Sequence, residues 1–312
     1  MAINQIEYNT LMQDKLDKRA VETASSGWME ENAGQVKYHG GNEVKIPTIA
    51  TQGLADYDRD KGFVQGSVSV SYETYKMLQD RGRTFQLDAM DVDESNFIAT
   101  SANVIRDFQD YHVIPEVDAY RYATIAKKSI SLGNTEDYTV DPKTVIDKIL
   151  EHISFVSDQV GVEEIIISLT SKTQLAINQS DKFQRFIDAG NFKKGGINLK
   201  VKSIDDNPLI KVPQDRMKTE ILLKDGETGG QEAGGFEATD DAKDINWIIC
   251  ARKAPIAISK TDKLRVFEPN VNQKADAWKI DYRKYHGLWI LKSRENQIFT
   301  CTAPKAPKAP KA

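Results

Sequence analysis

Histidine, cysteine and paired glycines are the residues of this sequence whose chemistry and spacing come first. His39, His112, His152 and His286 fall in separate stretches, and no two stand at the HxH or HExxH spacing that sets two imidazoles on one metal. His112 and His152 fall at core-face or flank positions of helical patterns, where a packed, hydrogen-bonded imidazole is the expected role. Cys250 and Cys301 lie far apart without a CxxC partner. Neither a zinc site nor a disulfide framework is expected, and both are read as buried, inert thiols. Gly195–Gly196, Gly229–Gly230 and Gly234–Gly235 match neither GxGxxG nor the Gly-Lys-Ser/Thr ending of a phosphate loop, which leaves turns. Acids alternate in DAMDVDES, but the glycine and distal glutamate of a calcium loop are missing, so an acidic helix start is the reading. Lys61 has a covalent role open to it, an isopeptide bond to another copy, beside the plainer one of a solvated lysine. No catalytic, metal or cofactor residue is expected, and the chain is read as a non-enzyme.

The composition is that of an ordinary globular chain, with 312 residues, 40% hydrophobic and 28% charged. Its 42 basic and 46 acidic residues give a net charge of −4, which argues against a dedicated nucleic-acid binder with a strong basic excess. There is no run of about 18 apolar residues. MAINQIEYNTLMQDKLDKR lacks the apolar stretch of a signal peptide, so folding in a reducing cytoplasm is expected.

The elements that would position these residues begin with a polar segment, 1–36, whose apolar stripe of Ile6, Leu11 and Leu16 is broken. It reads as an arm that needs a neighbour. VKIPTIA reads as an extended segment, with Pro47 where an edge strand tolerates it. In SVSVSYETY, Val68, Val70 and Tyr72 alternate with Ser67, Ser69 and Ser71, the period of a strand with one apolar face. Together they predict a long two-stranded excursion with a tip flanked by Gly62 and Gly66. RTFQLDA repeats the alternation with Phe85, Leu87 and Ala89. A hairpin so isolated is marginal in water and must draw stability from another surface. After DVDES, Ile98, Ala102, Ile105, Phe108 and His112 step by three or four. Pro115 interrupts, and Val117, Tyr120, Tyr122 and Ile125 continue with aromatics on several faces. This predicts a central helix bent or restarted at Pro115, since a first-turn proline costs little.

Asp141 reads as a helix cap, Pro142 as first turn, and Gly161 as the stop. Between them Val145, Ile149, Ile153, Val156 and Val160 form one stripe. EEIIISL reads as a buried strand and TSKTQLAINQ as a capped short helix. INLKVKSID and LIKVP read as strands around a turn at Asp205–Pro208, completing an α/β subdomain. DGETGGQEAGGFEATDDAKD is expected to be a flexible loop and INWIICARKAPIAI a buried strand. DAWKIDYRKYHGLWILK and QIFTCTA are expected to pair with each other. The final Ala-Pro-Lys triplets favour an extended tail.

The tract KIPTIATQGLADYDRDKGFVQGSVSVSYETYKMLQDRGRTFQLDAMDVDESNF, followed by VIPEVDAYRYATIA, resembles the major capsid proteins of tailed bacteriophages with the Hong Kong ninety-seven type fold. The similarity extends over about residues 37–300. It implies an α+β phage capsid fold with an N-terminal arm (1–36) and an extended two-stranded loop with flanking strands (37–92). Next come the long spine helix of a peripheral domain (93–134) and an α/β axial domain (135–235). Strands returning through both domains (236–302) and a tail (303–312) complete it.

The same resemblance implies a structural protein that assembles into pentamers and hexamers of an icosahedral head around double-stranded DNA, in the bacterial cytoplasm. Expected partners are other copies of itself, a separate scaffolding protein unless the arm does that work, a portal, a decoration protein, and DNA through weak non-specific contact. No cofactor is implied. An encapsulin-like nanocompartment shell is the alternative use of the fold, and a hydrolase or binding module finds no motif. Subunit contacts are expected at Lys61, Gly62, Phe63, Val68, Val70, Tyr72, Phe85, Leu87, Tyr120, Arg121 and Tyr122, with burial inside the subunit as the other role for the tyrosines. Pro115 is expected to be the hinge or bend.

Overall fold

The computed structural model describes residues 23–35, 37–38, 43–88, 90, 101–161, 163–181, 187–194, 197–272 and 274–305. The readings of residues 1–22, His39, Ala89, the DVDES helix start, Ile98, Gly195–Gly196 and the tail from 306 onward lie outside these residues.

Strands β1 (Lys37–Tyr38), β2 (Glu43–Thr51), β3 (Val68–Lys76) and β4 (Gln79–Asp88) come first. Helix α1 (Ser101–Phe108), a π-turn (Gln109–Val113) and α2 (Ile114–Ser131) make the central helix. Then follow β5 (Thr135–Asp137), α3 (Val145–Val160), β6 (Ile165–Thr170), α4 (Ser171–Gln179), β7 (Ile187–Lys194), β8 (Ile197–Ile204) and β9 (Asn207–Val212). The last strands are β10 (Ile221–Leu223), β11 (Phe236–Ala238), β12 (Ile245–Ala251), β13 (Pro255–Phe267), β14 (Ala277–Ile290) and β15 (Ile298–Thr302).

Seven strands form one sheet in the order β5-β15-β12-β6-β9-β8-β7. Its central strands are apolar without alternation because both faces are covered. Ile165, Ile167 and Leu169 of β6, with Trp247 and Ile249 of β12, meet the α3 stripe of Val145, Ile149, Ile153 and Val156. Ile166, Ile248 and Cys250 face the other way, onto Tyr122, Ile125 and Ala126 of α2 and onto Trp28 and Met29. EEIIISL as a buried strand, the α3 stripe, the Gly161 stop (φ 70) and the Thr170 cap of α4 all agree with the sequence reading. So does the Asp205–Pro208 turn, where Asp205 and Asp206 take positive φ. Asp141 is corrected: Thr144 occupies the cap position, because the turn through Pro142 delays the helix to Val145. The Asp141 carboxylate instead accepts the Lys143 N–H at 3.2 Å.

Three further readings are corrected. QIFTCTA does not pair with DAWKIDYRKYHGLWILK: β15 joins β12, while β14 lies between β13 and β4. INWIICARKAPIAI is two strands, broken by a turn in which Ala254 N–H donates to Ala251 O. The glycine-rich stretch is a hairpin, β10 with β11, whose turn is held by its own polar groups. The Asp225 carboxylate accepts from Glu227 N, Thr228 N and Thr228 Oγ1, and Arg83 donates to Glu232 O at 3.1 Å.

Pro115 lies in the first turn of α2, as expected, but helical dihedrals persist on both sides of the junction. Proline cannot donate to the carbonyl four residues back, and its ring presses on it. The π-turn inserts one residue just upstream, and Ile114 N–H donates to Gln109 O five residues back. That wider turn receives the ring without ending the helix.

His152 of α3 sits against the sheet with its ring centroid 4.0 Å from that of Phe299. Trp247 Nε1–H donates to its Nδ1 at 3.1 Å, which places the proton on Nε2, 2.8 Å from Glu136 Oε2. Burial holds His152 below the usual histidine range despite Glu136, and burial with three nearby cations holds His286 well below it. Both are therefore neutral in the fold, and their contribution is complete above the unfolded value of about 6.5. It is lost as pH falls from there towards the folded values, because the unfolded chain then binds protons that the fold refuses. Thermal unfolding of unassembled chain should show Tm falling between pH 7 and pH 5, with a shallower slope in His286→Phe. Equal slopes in the two proteins would remove His286 from this account.

Among the described residues, no helix is long and apolar enough to cross a membrane.

Candidate assembly surface

β2 and β3 pair antiparallel along their whole length, with Glu43 opposite Lys76 and Thr51 opposite Val68. The two faces of this ribbon differ along its length. At the root, Val44, Ile46 and Tyr75 share one face and pack with Met77, Ile256, Ile258, Tyr285 and Leu291 of the same chain. Further out, that same face carries Thr48, Ala50, Ser69 and Ser71. The opposite face carries Pro47 against Tyr72, Ile49 against Val70, and Thr51 against Val68. Among the described residues nothing covers it: Ile49 is 66% exposed, Val68 69%, Val70 58% and Tyr72 53%. The ribbon thus shows its own body an apolar root face and shows solvent an apolar outer face on the other side.

The connection between the strands continues this pattern. Asp58 and Gly62 bridge at the tip, Gly62 with φ 80, and the Asp58 carboxylate caps the N–H groups of Asp60 and Lys61. Tyr57 and Phe63 stack with ring centroids 4.8 Å apart, and both are exposed, as are Leu54 and Val64. Apolar surface of this extent on an element with so little body behind it is what makes the ribbon the candidate interaction surface.

A buried polar cluster ties the segment before the ribbon to α2. Asp118 of α2 is fully buried and accepts from Ser25 N at 3.0 Å, Ser25 Oγ at 2.7 Å, Ser26 N at 3.0 Å, Ser26 Oγ at 2.5 Å and Arg216 Nη1 at 3.0 Å. Arg121 reaches Ser26 O and pairs with Glu30. Asn32 donates to Arg252 O and Pro255 O at 2.8 and 2.7 Å, which fixes the segment beside the start of β13. Residues 24–35 are thereby part of the chain's own body, a correction to the reading of all of 1–36 as an arm; Trp28 and Met29 anchor them in the core.

Solved structures similar to this fold include several that are distant in sequence. The asymmetric unit of the bacteriophage PhiM1 mature capsid is 12% identical, with TM-score 0.54, 86% of this chain and 83% of that one being covered. The capsid structure of cyanophage P-SCSP1u is 9% identical, with TM-score 0.56 and 86% of each chain covered. A structure from Gordonia phage Cozz is 12% identical, with TM-score 0.56, 89% of this chain and 86% of that one being covered. The chain has the phage capsid fold. No protein-family model matches it, and no curated protein matches it in sequence.

On this capsid fold the expected contact residues separate into two groups. Lys61, Phe63, Val68, Val70 and Tyr72 are exposed on the ribbon, with Gly62 in its tip turn. Phe85 and Leu87 belong instead to β4 and pack in their own subunit around Ile105, Ile280 and Tyr282, Phe85 meeting the Phe108 ring at 4.8 Å. Arg121 (1% exposed) and Tyr122 (0%) are also interior, because α2 is wrapped by the sheet on one side and by residues 24–35 on another. Tyr120 is half-buried, its ring edge-on to His286 at 5.3 Å. Pro115 is buried in α2. Ile49, Leu54, Tyr57 and Val64 were missed by the sequence reading. Ile49 could have been found from its period of two with Pro47, but the intervening residues 52–67 conceal which strand residue it faces.

Cys250 and Cys301 are free and buried, and burial pushes both thiols up to about 12, so neither is a nucleophile at neutral pH. Among the described residues no group of three or more His, Cys, Asp or Glu is placed to hold a metal ion.

Proposed function

We propose that this chain is the major capsid protein of a tailed bacteriophage, a structural subunit that self-assembles into pentamers and hexamers of an icosahedral head around double-stranded DNA. The observation that carries the reading is the outer face of the β2–β3 ribbon: apolar, uncovered, and borne on a capsid fold. Laid on a neighbouring copy, the face formed by Ile49, Val68, Val70 and Tyr72, with the tip at Lys61, Gly62 and Phe63, loses its apolar surface to an interface. Burying a side chain of this size contributes about 1.5–3 kcal/mol. Each contact is modest, but every subunit both gives a ribbon and receives one, and closure of the shell multiplies the effect.

Within this reading the π-turn before Pro115 is the pivot of the spine when the shell rearranges, as a short wide turn is the softest point of a long helix. A net charge of −4 suits a wall that encloses DNA without gripping it. A separate scaffolding protein, a portal and a decoration protein are the partners that such a shell would use. Electron microscopy of purified chain, with and without scaffold, should show closed shells. A stable monomer at every concentration under both conditions would overturn the proposal.

A further inference from the structure

A two-stranded ribbon leaves two edges on which main-chain N–H and C=O groups face outward, and each is a template for a further strand. Several edges of the described sheets are guarded. On β2, β1 pairs with Lys45 and Val44, and beyond it Pro47 cannot donate to an added strand. The β10–β11 turn lies on β4, where Arg81 and Arg83 donate to Gly235 O and Glu232 O at 3.4 and 3.1 Å. β13 receives Asn32 at its start and carries Lys260, Lys263 and Arg265 further on. β3 has no such device. Among the described residues no strand pairs with its other edge. From Ser67 to Tyr72 it holds neither proline nor charge, and Val68 to Tyr72 are all exposed.

The sequence of this edge is complementary to itself. Two copies of β3 set antiparallel about Val70 bring Val68 opposite Tyr72, Ser69 opposite Ser71 and Val70 opposite Val70. Every apolar residue of the outer face then meets an apolar partner, and an aromatic side chain opposite a β-branched one is a favourable cross-strand pair. Glu73 falls opposite Ser67, so no like charges meet. Moving the centre to Ser69 sets Tyr72 on Gly66, and moving it to Ser71 sets Val68 on Thr74. Both shifts lose apolar pairs.

We propose that β3 pairs edge to edge with β3 of a second copy, antiparallel about Val70, making one four-stranded sheet in the order β2-β3-β3-β2 across a two-fold axis. The pairing goes beyond the shell reading and does not rest on it. It uses main-chain groups at the edge and leaves the two outer faces free, side by side, as one larger apolar surface. A lone two-stranded ribbon is marginal in water, whereas three or more strands with an apolar face hold together. The contact is isologous, and it limits itself, because both edges of the joined sheet are β2 strands bearing Pro47.

The test uses the unassembled full-length chain, whose own Cys250 and Cys301 are buried and stay out of thiol chemistry. With a short thiol-to-thiol crosslinker, Val70→Cys should join to itself, the two positions lying about 5 Å apart. Val68→Cys alone and Tyr72→Cys alone should react at least about tenfold more slowly, because each lies roughly 13 Å from its own counterpart. Mixing those two chains should restore crosslinking as a heterodimer. Ser69→Cys mixed with Ser71→Cys should crosslink too, from the opposite face, which two ribbons stacked face to face could not do. Leu54→Cys, exposed in the connection, sets the rate of random collision. Crosslinking of Val70→Cys no faster than that rate, or no heterodimer from the Ser69→Cys and Ser71→Cys mixture, overturns the proposal. Ser69→Asp/Ser71→Asp gathers like charges across the two-fold axis, so in that background Val70→Cys should no longer crosslink, although shells still form through the outer face. Shells without these crosslinks overturn the edge pairing alone, and crosslinked pairs without shells overturn the shell reading alone.

Discussion

Replacing Asp118 with alanine is expected to lower the stability of the unassembled chain by about 3–5 kcal/mol, the cost of removing one partner from a buried ion pair. Five donors converge on this carboxylate: the backbone N–H and hydroxyl of Ser25, those of Ser26, and Arg216. Alanine leaves them buried without an acceptor, and an unsatisfied buried donor costs about 1–3 kcal/mol by itself. Asp118→Asn keeps an oxygen for one serine, but its amide can be received only by a serine hydroxyl and not by the backbone N–H groups or Arg216, so its loss should be intermediate. Trp28 gives a local readout. It is fully buried two residues after Ser26, and its emission should shift red at denaturant concentrations where the far-ultraviolet signal of the body is still native. A loss below about 1 kcal/mol with unshifted Trp28 emission would show that the cluster does not hold residues 24–35 in place.

That cluster also shows where sequence reasoning stops. Asp118 is one acid in a helical pattern, and its partners lie more than ninety residues away on either side. Nothing local distinguishes it from a solvated charge. The α3 stripe and the β6 run were readable because amphipathic period and two-sided burial are written in consecutive residues. Strand partners are not local. GLWILK and IFTCT are both apolar and adjacent in sequence, yet β14 and β15 enter different sheets.

The β3 and β4 patterns carry the finest distinction. Val68, Val70 and Tyr72 alternate just as Phe85 and Leu87 do, and alternation states that one face is covered without stating by what. The chain's own α1 covers Phe85 and Leu87, while among the described residues nothing covers Val68, Val70 and Tyr72. Arg121 misled for a related reason. An arginine between two tyrosines is an interface composition, but the same groups serve equally well where one subunit wraps its own helix.

The largest expected effect on assembly belongs to Ile49→Asp/Val70→Asp. The two residues face each other across β2 and β3 on the uncovered side, so the double variant puts two like charges at the centre of the outer face. In the free subunit both sites are open to water, and the cost should stay within about 1 kcal/mol, mostly strand propensity and mutual repulsion. In a shell each carboxylate would have to be desolvated against a neighbour, at several kcal/mol per contact and in every subunit. Closed particles should therefore disappear by electron microscopy and light scattering while Tm of the unassembled chain hardly moves. Ser69→Asp/Ser71→Asp supplies the control, since these positions share the polar outer face on the other side of the same strand, and this variant should still assemble. Val44→Asp supplies the contrast: its side chain is fully buried at the root, so it should lower Tm as well as assembly. Assembly of Ile49→Asp/Val70→Asp at the wild-type concentration would mean that the outer face of the ribbon is not where one copy meets the next.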